Sequence, residues 1–437
     1  MNDNHHSLAQ RELWRLFFPL AMSGIFFPLS RPVINAALAR TDDPTLALAT
    51  ASITMSITMP FVAPLFGLRQ VVTALAVDLD MLRRLGRLTL TVSGAATILL
   101  LVVAIPPIFR FVATDVMGVP LGIALLGPPV MFLMATQPIF SVGRGYYQGI
   151  LVHYGDAAPI GYGALAYLIG VAATVFVATS VFALEGAFAA ALAMLVGNAF
   201  YLIVVWWPCR PLFTGRIPPF DTSLDANKRS MKAIVSLYVP LAISTMITAV
   251  IEPTIQVAIA RAPFAEISLA AYPVCVSIAW LSRTHLWNAS SVVIARVKDR
   301  HSFKEVRRFM LTLACITTAF MVFIAMPWTS DFVFGTLTGL DGDIKTFATR
   351  GYLLLIFVPF FQSGRSLYHG TLVSQGATSG VQVAAFVRVG VLLVSLALLV
   401  NFAELPGLYL ALICILLSEI AECASLYVSV KRLPLLS

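Results

Sequence analysis

PIFSVGRGYYQGILVHYG at residues 138–155 and PFFQSGRSLYHGTLVSQG at residues 359–376 are one segment written twice: both spell P-x-F-x2-GR-x2-Y-x-G-x-LV-x2-G, with nine identities in 18 positions. The two copies lie 221 residues apart, and at that shift residues 16–157 overlay residues 237–378 without a gap. The start of the overlay repeats as well. Residues 16–40 read L-x2-PLA-x-S…P-x-I-x2-A-x-AR and residues 237–261 follow the same pattern, with ten of 25 positions identical. A chain built from two copies of one unit is a common architecture of transporters whose halves rock about a central site.

What the repeated unit is made of follows from composition. The chain has 437 residues, 59% of them hydrophobic and only 11% charged, against roughly 25% charged in soluble domains. Apolar runs long enough to cross a hydrocarbon core about 30 Å thick recur along it. Twelve are expected, near 14–40, 46–77, 88–112, 120–151, 157–181, 186–207, 232–260, 267–295, 306–330, 347–373, 379–401 and 405–430. The first is followed by further spans and not by a small-residue cleavage site, so it reads as a span and not as a signal sequence. The expected fold is an all-α polytopic membrane protein, with 12 transmembrane helices in two six-helix lobes related by a pseudo-two-fold axis along the membrane normal.

The net charge of +8 follows topology. With a cytoplasmic N-terminus, the inner loops and tails collect 18 Lys and Arg, among them Arg83, Arg84, Arg87, Arg296, Lys298, Arg300, Lys304, Arg307 and Arg308, and the outer loops collect five. That positive-inside bias predicts both termini in the cytoplasm and an inner or plasma membrane location. It also accounts for the basic loops without nucleic acid. Cys209, Cys275, Cys315, Cys414 and Cys423 have neither metal-ligand spacing nor an evident disulfide pairing, so no metal site and no cofactor are expected.

The stretch PCRPLFTGRIPPFDTSLDANKR at 208–229, with four prolines and mixed charges, reads as a cytoplasmic linker. It separates an N-terminal six-helix lobe, 1–207, from a C-terminal one, 230–437. No loop is long enough for a soluble catalytic domain and no G-x4-GK-[ST] phosphate loop occurs, which excludes an internal ATPase. Short loops without clustered His, Asp or Glu argue against a membrane-embedded transferase. An enzyme is not expected.

Spans one and seven carry matched prolines, Pro19 with Pro240 and Pro32 with Pro253, each of which removes a helix hydrogen bond and bends the rod. The residue before the second of each pair is ionisable, Arg31 in one copy and Glu252 in the other. Both stand near nine residues from the outer end, roughly 13 Å deep at 1.5 Å per residue. A charge there costs about 2.5–3.5 kcal/mol on insertion scales and is functional by default. Arg31 and Glu252 therefore read either as a binding and coupling pair or as a salt-bridged latch between the lobes. A latch that breaks during transport satisfies both readings.

Arg144 and Arg365 are the duplicated arginines of the GR-x2-Y-x-G motif. They suit a structural role, snorkelling or holding the carbonyls of a bent helix, and in function an inner vestibule that attracts anions. Gly149 and Gly370 of the same motif suit close helix approach. Departures from the repeat stand out: Arg388 replaces Tyr167, while Glu419 and Glu422 replace Asn198 and Tyr201. Glu419 and Glu422 share a helical face and suit proton sharing in low dielectric, or a bridge to Arg388. Arg69, Arg283, His285 and His369 complete the intramembrane set, the histidines reading as hydrogen-bonded core residues. The spans then hold six arginines against three glutamates, and an interior so lined prefers carboxylate or phosphate.

Two lobes of six spans, the bent first and seventh helices and the repeated G-R…Y-x-G-x-LV segment resemble the multidrug/oligosaccharidyl-lipid/polysaccharide exporter superfamily, with a MATE-like fold. Within it, the chain resembles the progressive ankylosis protein family through R31-P-V-I-N35…A39-R40, E252-P…A260-R261, Y272-P-V…W280-L and E419. In that family the acidic residue belongs to the first lobe and the arginine to the second; here Arg31 and Glu252 stand exchanged. The resemblance implies alternating-access export of a small anion such as citrate, pyrophosphate or a nucleotide.

The expectation is a secondary carrier acting as a monomer. Arg31, Asn35, Arg388, Arg144 and Arg365 contact the anion, and Glu252, Glu419 and Glu422 couple to H+ or Na+. The alternatives are a lipid-linked oligosaccharide flippase, which needs a wide chamber with a lateral apolar opening, and a MATE-type multidrug exporter, whose interior should be dominated by carboxylates and aromatics.

Overall fold

A computed structural model describes residues 3–38, 41, 43–117, 121–213, 230–248, 251–338, 342–402 and 404–433. Among these every regular element is helical. The order is α1 (Asp3–Leu38), α2 (Pro44–Val62), α3 (Phe66–Leu75), α4 (Leu79–Val103), α5 (Pro106–Arg110), α6 (Leu121–Met134), α7 (Gln137–His153), α8 (Ala158–Ser180), α9 (Gly186–Trp206) and α10 (Arg210–Phe213). The second copy supplies α11 (Met231–Thr248), α12 (Ile251–Ala260), α13 (Ala265–Arg296), α14 (Arg300–Ala325), α15 (Pro327–Ser330), α16 (Gly342–Leu354), α17 (Val358–Ser374), α18 (Ser379–Phe402) and α19 (Gly407–Lys431).

All twelve expected spans fall on helix. Nine stretches among the described residues are long and apolar enough to cross a bilayer, and α16 with α17 makes a tenth that bends by 47°. The remaining two expected spans fall on α11 with α12 and on α13. Spans two and ten are interrupted where proline removes a donor: Pro64 lies in the 3-10 turn Ala63–Leu65 between α2 and α3, and Pro359 starts α17. Large apolar side chains face outward along the helices, among them Leu90, Ile98, Phe132, Phe176, Leu393 and Val394. That is the surface a chain in hydrocarbon presents, and the protein is a multi-span membrane protein.

The chain divides into two compact units, Phe18–Ala242 and the combination of Met1–Phe17 with Ile243–Ser437; we refer to them as the N-terminal and C-terminal units. Each takes in the beginning of the helix that opens the other repeat. In the C-terminal unit the start of α1 packs on α14: the Trp14 and Phe17 rings meet Phe309 edge-on at 5.0 and 5.4 Å, and Gln10 Nε2 donates to the Glu305 carbonyl at 3.0 Å. In the N-terminal unit the start of α11 packs beside α3, with Tyr238 Oη donating to the Pro64 carbonyl at 3.3 Å.

The duplicated motif performs the same local task in each unit. At Gly149 on α7 a Cβ would lie 2.8 Å from Val72 Cβ and 2.9 Å from the Arg69 carbonyl oxygen; at Gly370 on α17 it would lie 2.6 Å from Val293 Cβ and 2.9 Å from the Ser290 carbonyl. These are the same contacts displaced by 221 residues, so the glycines let α7 approach α3 and α17 approach α13 at backbone distance, as the motif implied. The motif's last glycine ends each helix. Gly155 and Gly376 take left-handed φ of 80° and 77°, and the amides of Asp156 and Ala377 reach back to the carbonyls of Leu151 and Leu372 at 2.9 and 2.8 Å. This is the closure that leaves few helix-end carbonyls bare. Gly149→Val and Gly370→Val are expected to overpack these crossings and lower stability by about 1–3 kcal/mol each, read as a drop in the thermal unfolding midpoint of the detergent-solubilised protein.

Candidate functional site

Most ionisable side chains inside the spans gather in one cluster per unit, both built on the duplicated arginine. In the C-terminal unit α13, α17 and α18 supply Arg283, Arg365 and Arg388, and α19 supplies Glu419 and Glu422 one turn apart. Arg388 forks between the carboxylates: Nη2 donates to Glu419 Oε1 at 2.9 Å and Nη1 to Glu422 Oε2 at 3.0 Å. Arg365 Nε lies 2.8 Å from Glu422 Oε1, a charge contact whose N–H is not aligned for a hydrogen bond. The guanidinium of Arg365 stacks 4.4 Å over the Trp287 ring. Arg283 Nη1 donates to Gln362 Oε1 at 3.0 Å and lies 4.0 Å from Glu419 Oε1. Three positive and two negative groups, with side chains 4–13% exposed, leave the cluster one positive charge in excess. Arg388 stands between the two carboxylates. Glu419 Oε2 and the Nε atoms of Arg283 and Arg388 are buried without a hydrogen-bond partner.

The N-terminal unit answers the same problem without carboxylates. Arg144 Nη1 donates to Asn198 Oδ1 at 2.9 Å, and Asn198 Nδ2 donates to Gln137 Oε1 at 2.9 Å and to the Met194 carbonyl at 2.9 Å. The Arg144 guanidinium lies between two rings, 4.5 Å over Phe27 and 4.8 Å over Tyr201. Phe27 in turn stacks on Tyr167 at 4.6 Å. Tyr201 Oη donates to the Ile160 carbonyl at 3.0 Å. Arg69 reaches the same unit's Gln148, Nη1 to Oε1 at 3.4 Å.

The 221-residue shift relates the clusters position by position. Arg144 matches Arg365, Asn198 matches Glu419, Tyr201 matches Glu422 and Tyr167 matches Arg388. Packing follows the exchange: a Cβ at Gly163 would sit 2.3 Å from the Tyr201 ring, so the bulky tyrosine requires glycine there. The matched position beside the smaller Glu422 is Ala384.

The structure thus brings Arg365, Arg388, Glu419 and Glu422 into contact and gives Arg144 a separate network. Arg31, within α1, is exposed. The side chains of Asn35, Glu252, Pro32 and Pro253 lie outside those described, so the matched pair of Arg31 and Glu252 has no geometry here. Sequence reading passed over Asn198, Tyr201 and Trp287 as partners of the duplicated arginines, Gln137 as the partner of Asn198 and Gln362 as the partner of Arg283. A signal for two of them was present, since Asn198 and Tyr201 are the positions at which the second copy carries its glutamates. His285 Nε2 lies 2.7 Å from Thr317 Oγ1, a satisfied core histidine. Among the described residues no group of three or more His, Cys, Asp and Glu could hold a metal ion.

No family model and no curated protein matches the chain by sequence. Solved structures do match its fold. A MATE transporter of Vibrio cholerae superposes with a TM-score of 0.74 at 14% identity, over 98% of both chains. The eukaryotic MATE transporter AtDTX14 superposes at 0.77 and 12% identity, over 99% of this chain and 97% of that one. A MOP superfamily transporter from Pyrococcus furiosus, reported with a binding pocket of reverse polarity, superposes at 0.73 and 15% identity, over 97% and 96%. The fold is the MATE transporter fold from end to end, with the sequence diverged far beyond the range in which a substrate transfers.

Proposed function

We propose that the chain is a secondary active exporter of a small multivalent anion, organic or phosphate-containing, working by alternating access between its two halves. The observation that carries the reading is the charge of the interior. Arginine outnumbers glutamate in the C-terminal cluster by three to two, and in the N-terminal cluster Arg144 is met by an amide oxygen and two aromatic faces. Guanidinium groups pair with carboxylate and phosphate in bidentate geometry, and an interior of that sign disfavours organic cations. The reverse polarity described for the Pyrococcus furiosus neighbour supports a departure from drug export within this fold, as does the resemblance to the progressive ankylosis protein family.

In this reading Arg144 and Arg31, with Asn35, receive the anion. Arg365 and Arg388 become available to it when their carboxylates are neutralised, and Glu419 and Glu422 carry the coupling ion, with Glu252 a further candidate. A proton taken up by either glutamate of the C-terminal cluster raises that cluster's excess from one positive charge to two, which links H+ to anion affinity in a definite direction. The chain acts without enzymatic chemistry, in a cell membrane with both termini cytoplasmic and as a monomer.

The test is flux in proteoliposomes. Labelled citrate and pyrophosphate should move at rates that respond to a pH gradient, and Glu419→Gln should flatten that response. Movement of cationic dyes with no movement of either anion would favour the second reading, a multidrug exporter, which the MATE transporter neighbours support.

A further inference from the structure

The two halves differ in where their counter-charge comes from. In the C-terminal unit both carboxylates of the cluster, Glu419 and Glu422, are held by arginine. The spanning sequences of the N-terminal unit, residues 18–38, 44–75, 121–153, 158–180, 186–206 and 231–242, contain no aspartate and no glutamate, and α4 has one, Asp80. Asp80 is at the first turn of α4 and is engaged by Arg84 at 2.8 Å. A guanidinium as deep as Arg144 is stable when an opposite charge is near. The spans of this unit offer none beyond Asp80.

The hydrogen bonds around Arg144 point to where that charge enters. Arginine only donates, so Asn198 must turn its Oδ1 to Arg144. Its Nδ2 then faces Gln137 and requires the Oε1 of that side chain. Each amide is thereby fixed in orientation, and the relay runs one way, from Arg144 through Asn198 to Gln137. It ends on a donor with no acceptor: Gln137 Nε2 is buried without a partner, and so is Arg144 Nε. Gln137 is 5% exposed. Two leftover donors at the two ends of one relay, in a half with no carboxylate of its own in reach, are complementary to an oxygen-rich anion, whose lone pairs supply the missing acceptors and whose charge supplies the missing counter-ion. The second copy has no such relay, because Glu419 stands at the position of Asn198 and Val358 at that of Gln137.

We infer that the N-terminal unit contains the anion subsite, with Arg144, Asn198 and Gln137 receiving a carboxylate or phosphate group, and that the C-terminal cluster, whose arginines are already engaged by Glu419 and Glu422, takes the coupling ion. This rests on the anion reading above and gives it a place.

Gln137→Glu tests it. The substitution keeps Oε1 for Asn198 and puts a carboxylate oxygen where the orphaned Nε2 stood, so it builds the missing counter-ion into the protein. Wild-type protein in detergent, titrated with sodium citrate and sodium pyrophosphate, should show a rise in thermal unfolding midpoint beyond that given by sodium chloride at equal ionic strength. Gln137→Glu should unfold at a higher temperature than wild type without anion and bind citrate and pyrophosphate about tenfold more weakly or worse, the scale of one lost charge-assisted hydrogen bond. Gln137→Met, which removes the donor and adds no charge, should weaken binding without the gain in anion-free stability. Wild-type anion response in both variants, or a chloride response equal to that of the oxyanions, would overturn the site. Absence of citrate and pyrophosphate flux in wild-type proteoliposomes with the binding pattern intact would sink the transport reading and leave the subsite standing; wild-type flux in Gln137→Glu would do the reverse.

Discussion

Replacing Arg388 by methionine is expected to cost about 3–5 kcal/mol of stability, the range for breaking a buried ion pair by removal of one partner. Arg388 is the group shared by Glu419 and Glu422, at 2.9 and 3.0 Å. Without it Glu419 keeps only Arg283 at 4.0 Å, and two carboxylates a turn apart lose the charge between them. The double variant Arg388→Met/Glu419→Met should be less damaged than the single one. It keeps the excess of one positive charge, the contact of Arg365 with Glu422 and the hydrogen bond of Arg283 to Gln362, and it exchanges two desolvated charges for apolar volume, a replacement that is often neutral or stabilising. Unfolding midpoints of wild type, both single variants and the double variant close the cycle, and the coupling should lie at the upper end of the roughly 0.5–3 kcal/mol seen for interacting neighbours. Additive effects would show that Arg388 and Glu419 act independently and not as a unit.

The second large effect concerns transport. Arg144→Gln is expected to lower anion flux by roughly ten- to a hundredfold, the equivalent of one charged hydrogen bond of about 1.5–3 kcal/mol. Its effect on folding should be small, because no carboxylate is left stranded by its loss and glutamine can still donate to Asn198. Arg87→Gln, on the exposed face of α4, is the matched control for a lost positive charge and should leave the rates unchanged. The measurement is the initial rate of labelled citrate and pyrophosphate efflux, normalised to protein inserted. Equal rates in wild type and Arg144→Gln would remove Arg144 from the transport path, whatever the stability data say.

These two predictions have opposite signatures although the clusters they probe are built on Arg144 and Arg365, the same residue of the same repeated motif. In one unit the arginine sits in an ion cluster whose members stabilise one another. In the other it sits on an amide relay that leaves a donor without an acceptor at each end. The difference comes from three substitutions between the copies, Asn198 against Glu419, Tyr201 against Glu422 and Tyr167 against Arg388. They turn a site that awaits an anion into one that carries its own.

Duplication, the twelve helical segments, the membrane setting and the charges that form the two clusters follow from the order of residues alone, because hydrophobic run length and an ungapped internal overlay are properties of the linear chain. The motif glycines are of the same kind: their spacing announces a close helix crossing before any coordinates are known. Which charge meets which was not legible. Arg283 on α13, Arg365 on α17, Arg388 on α18 and Glu419 on α19 become neighbours only after the helices pack, and periodicity places a residue on a face without saying what stands opposite. The direction of the Arg144 relay was equally hidden, since it depends on which amide atom each neighbour forces into place. Sequence supplied the charges of the two clusters; tertiary packing decided that one half pairs its arginines with its own carboxylates and the other leaves two donors open, because a buried charge is balanced by distance in space and not by separation along the chain.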